Sequence, residues 1–133
     1  MYVVENSLVH GGITGTIIGA AMEIHSKLGP GFLESVYEEA LAVELGLQKV
    51  SFERQKNIPV FYKGQQVKEF CCDYLVEGKV IVEIKAVKEI TEINRLQVIN
   101  YLKAGGFGVG LLLNFGEKSL DYQRLVNSKN QHP

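Results

Sequence analysis

Hydrophobic positions recur at helical spacing in the first third of the chain and at strand spacing through its middle. From Thr14, which can serve as an N-cap, Ile17, Ala21, Ile24 and Leu28 follow one another on a single helical face and are expected to point inward. Gly29-Pro30-Gly31 ends that helix, because proline cannot continue it and glycine accepts the turn. A second helix is expected over residues 33–45, with Val36, Ala40 and Leu41 inward and Gly46 near its C-cap. The stretch before residue 13 lacks a pattern and is expected to be an arm.

Residues 51–62 read as a strand, and Pro59 within it predicts an edge position or an irregularity. Lys63-Gly64-Gln65 is a turn into a hairpin spanning residues 70–85, with Glu77-Gly78-Lys79 as its turn. A third helix is expected from a Thr91 cap to about Ala104, stopped by Gly105-Gly106. Ile93, Leu96, Ile99 and Leu102 are expected to pack. Residues 108–113 read as a buried strand, and Asn114-Phe115-Gly116-Glu117 turns the chain into a last strand over 120–126. Helices, strands, a helix and more strand predict an α/β or α+β domain, a mixed β-sheet flanked by helices, over residues 13–126. A polar tail would occupy 127–133.

The hairpin carries the first chemical clue. Side chains alternate faces along a strand. The even positions Phe70, Cys72, Tyr74, Val76, Val80, Val82 and Ile84 form an apolar face; the odd ones include Cys71, Asp73, Leu75, Ile81, Glu83 and Lys85. With a three-residue turn, Asp73 lies opposite Glu83, and Lys85 stands one step along the same face. Two facing carboxylates repel, more so when partly buried, and a bound cation would remove the conflict. The hairpin alone supports equally a divalent-metal site with a catalytic lysine and a solvated face on which Lys85 screens two acids.

Composition narrows the setting. With 133 residues, 46% hydrophobic and 22% charged, the chain fits one globular domain. A net charge of −1 argues against a strongly basic nucleic-acid surface but leaves room for a local basic patch. Cys71 and Cys72 are adjacent and point to opposite faces, which suits neither a mutual disulfide nor a zinc cage. With no signal-peptide pattern at the start, a reduced cytoplasmic setting is the simpler inference. The longest apolar run is too short to span a membrane. Phosphate-binding glycine loops and nucleophile elbows are absent.

On the third helix, Asn94, Gln97 and Tyr101 fall on one polar stripe. Gln97 and Tyr101 can together hold a phosphate oxygen or a metal-bound water; alternatively, they form a solvated helix edge. Glu34 opens the second helix, where the helix dipole favours an acid whatever its function, and Tyr37 lies one turn on. His25 precedes the glycine-proline stop and can point to the same region, although a lone histidine is more often a packed residue.

The order Glu34, Asp73, Glu83-Ile84-Lys85, Gln97 and Tyr101 resembles the PD-(D/E)XK nuclease superfamily, especially its RecB-like branch with a Gln-x-x-x-Tyr helix. More closely, Gly31-Phe32-Leu33-Glu34-Ser35-Val36-Tyr37 is similar to the GxxExxY family, a small prokaryotic branch. That pattern commonly has a histidine where this chain has Asn94. The resemblance implies a restriction-endonuclease-like core and hydrolysis of DNA, or less readily RNA, by a metal-activated water. It implies Asp73 and Glu83 as ligands of Mg²⁺ or Mn²⁺, joined by Glu34 directly or through water and by the Ile84 carbonyl. Hard oxygen donors suit those ions. Lys85 would orient the water and stabilise developing charge, Gln97 would assist, and Tyr101, Tyr37, Asn94 and His25 are candidates for positioning substrate. One alternative is a nuclease-fold module that binds nucleic acid or protein without turnover; another is a metal-dependent hydrolase of some other phosphorylated substrate. So small a domain offers little surface to grip a duplex, which favours a homodimer.

Overall fold

A computed structural model describes residues 2–4 and 10–127. Among them, three helices and six strands follow the order β1 (Tyr2–Val4), α1 (Gly11–Leu28), α2 (Glu34–Leu47), β2 (Phe52–Tyr62), β3 (Gln65–Val76), β4 (Val80–Lys85), α3 (Glu92–Gly105), β5 (Val109–Asn114) and β6 (Asp121–Asn127). The strands form one mixed sheet in the order β1-β6-β5-β4-β3-β2, parallel only between β4 and β5. Helix α3 is the crossover between those two parallel strands, the usual way of joining such a pair. The predicted restriction-endonuclease-like α/β architecture is thus present.

The sheet is buried on both faces. On one, Tyr74, Val76, Val82, Ile84, Leu111 and Leu113 meet Ile17, Ala21 and Ile24 of α1 and Leu41 and Leu45 of α2. On the other, Leu75, Ile81, Leu112 and Leu125 meet Val98, Ile99, Tyr101 and Leu102 of α3. Burial on both faces explains why β5 reads as a continuous apolar run rather than an alternating one.

Several elements differ from expectation. Helix α1 starts at Gly11, so Thr14 is an interior residue whose hydroxyl donates back to the Gly11 carbonyl at 3.2 Å instead of capping. Leu28 ends this helix exposed, beyond the sheet that buries the earlier members of its stripe. In α2, Tyr37 is fully buried, whereas Val36 and Ala40 are only half-buried. The helix continues through Gly46 to a cap at Gln48. Ile93 and Leu96 of α3 are exposed, because the helix turns Val98, Ile99, Tyr101 and Leu102 to the sheet. The unpatterned N-terminal arm contains β1, which pairs Val3 with Val126 of β6. Of the expected C-terminal tail, Asn127 belongs to β6; residues 128–133, like 5–9, lie outside the described residues.

Pro59 does lie on an edge strand, β2. The Lys63-Gly64 turn takes left-handed φ of 49° and 77°, the form that matches the twist of a two-residue hairpin.

The hairpin face is not unbroken. Phe70 and Cys72 belong with the α3 cluster, whereas Tyr74 and Val76 belong with the α1/α2 cluster. Alternation therefore fails at Asp73. The β2/β3 ladder pairs Arg54 with Tyr74 and Lys56 with Cys72 but skips Gln55 and Asp73 between them. Gln55 has φ of 50°, a left-handed conformation unusual for a residue with a side chain. This kink at Asp73 lies where the chemistry was expected.

Tyr37 holds the α1–α2 corner. Its hydroxyl donates to the Gly29 carbonyl at 2.6 Å and accepts the Phe32 N–H at 3.1 Å, and its ring stacks on Phe115 at 4.6 Å. Tyr37→Phe is expected to destabilise the fold by about 1–3 kcal/mol, because it strands a carbonyl and an N–H. Thermal melting checks this, and an unchanged melting temperature would refute the anchoring role.

Candidate active site

The pairing of β3 with β4 runs Val76↔Val80, Leu75↔Ile81, Tyr74↔Val82 and then stops. Beyond it, acidic side chains replace the backbone ladder. The Asp73 N–H donates to Glu83 Oε1 at 3.1 Å, and the Ile84 N–H donates to Asp73 Oδ2 at 2.8 Å. The predicted juxtaposition of Asp73 and Glu83 is therefore realised at the point where the two strands part.

Glu83 is buried, and Asp73 is half-buried. Burial, followed by repulsion from Asp73, pushes the Glu83 carboxyl up to about 8. Burial likewise raises Asp73, although the Ile84 N–H opposes the rise. Two acids this close titrate as a pair, and both carboxyls are held above their ordinary range by burial. Lys85 Nζ stands 4.0 Å from Glu83 Oε2, the long limit of an ion pair, and favours the ionised form of the cluster without neutralising it.

Helix α2 brings Glu34 to the same place. Burial raises its carboxyl, Lys85 pulls it down and Asp73 pushes it up, so all three lie within one electrostatic neighbourhood. From α3, Tyr101 is buried, and its hydroxyl is raised first by burial and then by the fields of Glu83 and Asp73. Its ring meets Phe70 edge-on at 5.5 Å. Gln97 lines a groove beside it.

Three residues expected to position substrate are engaged within the fold. Tyr37 is fully buried with its hydroxyl committed to the backbone. His25 Nε2 is hydrogen-bonded to the Glu117 carbonyl at 2.8 Å, and its ring stacks on Phe115. Asn94 completes the capping box of α3, accepting the Thr91 N–H at 3.0 Å. These residues build the fold that carries the site.

Other contributors carried weak signals. The Phe115 N–H donates to the Lys85 carbonyl at 2.9 Å, so the Tyr37–Phe115–His25 stack steadies the lysine through its backbone. Fully buried Asn114 accepts the N–H of Val87 and of Gly116 and donates to the Val87 carbonyl, locking the segment after Lys85. A Cβ on Gly116 would collide with the Val87 backbone, which explains glycine there. An asparagine ending an apolar run was the available hint. Glu38 accepts from Arg54 at 2.9 Å and from Gln55 at 2.9 Å, and its charge raises Asp73.

A family model for the PD-(D/E)XK nuclease superfamily matches residues 12–125. The chain belongs to the PD-(D/E)XK nuclease superfamily. Comparison with curated proteins and with solved structures gives no match. Among the described residues of this superfamily member, no group of three or more His, Cys, Asp or Glu side chains converges tightly enough to hold a metal ion. The pair Asp73–Glu83 is the nearest approach: hard oxygen donors, each steadied by a backbone N–H and repelling one another. That donor set fits a hard divalent cation that keeps much of its own water. No helix among the described residues is long and apolar enough to cross a membrane.

Proposed function

We propose that the chain is a metal-dependent nuclease of the GxxExxY kind that hydrolyses phosphodiester bonds of DNA, with RNA the second choice. The observation that carries the reading is the pair Asp73–Glu83 at the parting of β3 and β4, with Lys85 at 4.0 Å from Glu83. Such an arrangement is costly to keep unless something binds it.

Asp73 and Glu83 would hold Mg²⁺ or Mn²⁺, the Ile84 carbonyl would be a further donor, and Glu34 would join them directly or through water. A cation held there would supply neutralising charge and lower the pKa of water. Lys85 orients the attacking water and offers a positive group to the charge that develops on the phosphoryl oxygens. Tyr101 and Gln97 flank the approach from α3 and position substrate. The unit is residues 13–126, and its two free cysteines suit a reducing cytoplasm.

The test is titration with Mn²⁺ by calorimetry together with incubation of mixed duplex, single-stranded and RNA substrates. Wild type is expected to bind Mn²⁺ and to cleave only with Mg²⁺ or Mn²⁺. Asp73→Asn is expected to weaken Mn²⁺ binding at least tenfold, and unchanged affinity would remove the ligand assignment. That no three-ligand cluster is ready among the described residues favours a second reading, a nuclease fold that binds without turnover. Metal binding with no cleavage of any substrate would select it.

A further inference from the structure

Past Asp73, strands β2 and β3 leave the sheet and run on as a two-stranded ribbon, pairing Asn57↔Cys71, Ile58↔Phe70, Pro59↔Glu69 and Val60↔Lys68 up to the Lys63-Gly64 turn. From Asp73 to Gln65 the ribbon reaches roughly 25 Å, at about 3.3 Å per residue. Its root rests on α3, through Ile58 and through Phe70 against Tyr101. Between root and helix lies a groove of about 250 Å³ lined by Phe70, Ile93, Leu96, Gln97, Asn100 and Tyr101.

Three properties of this groove go together. Ile93 and Leu96 are 79% and 45% exposed, although the sequence pattern would bury them. Its volume is below the roughly 300–1,000 Å³ of sites for drug-sized molecules, so it suits one flat group. It includes Tyr101, whose hydroxyl lies in the field of Glu83 and Asp73, so the groove adjoins the candidate site. An apolar wall with an aromatic edge suits the face of a nucleobase, and the Gln97 and Asn100 amides suit its polar rim. Lys68, two rungs beyond Phe70 with Glu69 between them, and Lys63 at the turn supply positive charge along the ribbon, in a chain whose net charge is −1.

We propose that the groove between the ribbon root and α3 seats one unpaired nucleobase next to the cleaved phosphate, with the ribbon lysines on the flanking phosphates. The inference rests on the nuclease reading and adds the substrate class: a strand with an unpaired nucleotide at the cut, which a closed duplex cannot offer.

The experiment is fluorescence anisotropy with a labelled 12-nucleotide single strand, its matched duplex and the same strand carrying an abasic site. Ca²⁺ is supplied as an oxygen-seeking cation. Wild type is expected to prefer the single strand. Ile93→Ala/Leu96→Ala, at exposed positions whose loss leaves the core intact, is expected to weaken single-strand binding by about 5- to 100-fold, as loss of one stacked base does. Duplex affinity should change less than twofold, and wild type should lose affinity for the abasic strand.

Equal affinity of wild type for single strand and duplex would overturn the proposal, as would an unaffected variant. A dimer seen by sedimentation and dissolved by the same substitutions would overturn it too, by giving the groove to a second copy. The two readings fail separately. Single-strand binding lost in the variant, with no cleavage by wild type, keeps the groove and removes turnover. Cleavage with an unchanged KM in the variant does the reverse.

Discussion

Replacing Lys85 by alanine is expected to lower Mg²⁺-dependent cleavage by about 10²–10³-fold, the usual cost of removing one preorganised group aimed at developing charge. The same substitution is expected to leave Mn²⁺ affinity unchanged or improved. Lys85 Nζ stands only 4.0 Å from Glu83 Oε2 and competes electrostatically with any cation held there. That split, turnover lost and metal kept, separates a catalytic lysine from one that merely screens two acids. A screening lysine would leave cleavage nearly intact when removed. Lys85→Arg is not expected to rescue, because a planar guanidinium cannot replace a compact ammonium in a largely enclosed position. Cleavage by Lys85→Ala within tenfold of wild type would remove the lysine from the mechanism.

The sequence made the acid pair legible because strand parity and one turn length suffice to place Asp73 opposite Glu83. It also revealed α3, since the Thr91 cap and the Gly105-Gly106 stop are local signals and the helix spans Glu92–Gly105. Parity misled where backbone geometry intervened. Nothing local marks Gln55 as left-handed, yet its φ of 50° accompanies the kink that moves Phe70 and Cys72 to the face opposite Tyr74.

Tyr37 and His25 turn into the fold for a different reason. Their polar atoms meet the Gly29 and Glu117 carbonyls, partners set by tertiary packing, and a motif that names a tyrosine does not say which way it faces. The exposed Ile93 and Leu96 were hidden because helical spacing identifies a stripe without saying how wide a face the sheet covers. Local chemistry thus located the acids, whereas the surroundings that steady them depend on contacts distant in the chain.

In metal-free protein, the melting temperature is expected to fall as pH rises from about 5 to 8. Glu83 carries its proton up to about 8 in the fold, against an ordinary 4.5. Between those values, the native state binds a proton that the unfolded chain has released. Protonation therefore stabilises the fold fully below the ordinary value, and this contribution is lost as pH climbs through the raised one. Asp73 and Glu34 are raised as well and act in the same direction; Glu39, held low by Arg54, acts only at more acidic pH. The loss is on the order of a few kcal/mol, each moving the midpoint by roughly 3–5 °C for a chain of this size. Millimolar Mg²⁺ is expected to restore most of it at pH 8, because a cation that binds the ionised pair stabilises only the native state. Glu83→Gln carries no proton to lose and is expected to show a flatter profile, with little response to Mg²⁺. Melting curves in EDTA and in Mg²⁺ across that range decide the matter. A wild-type midpoint that stays level or rises from pH 5 to 8 in EDTA would show that burial does not set the titration of the pair. An equal slope in Glu83→Gln would show that the proton resides elsewhere.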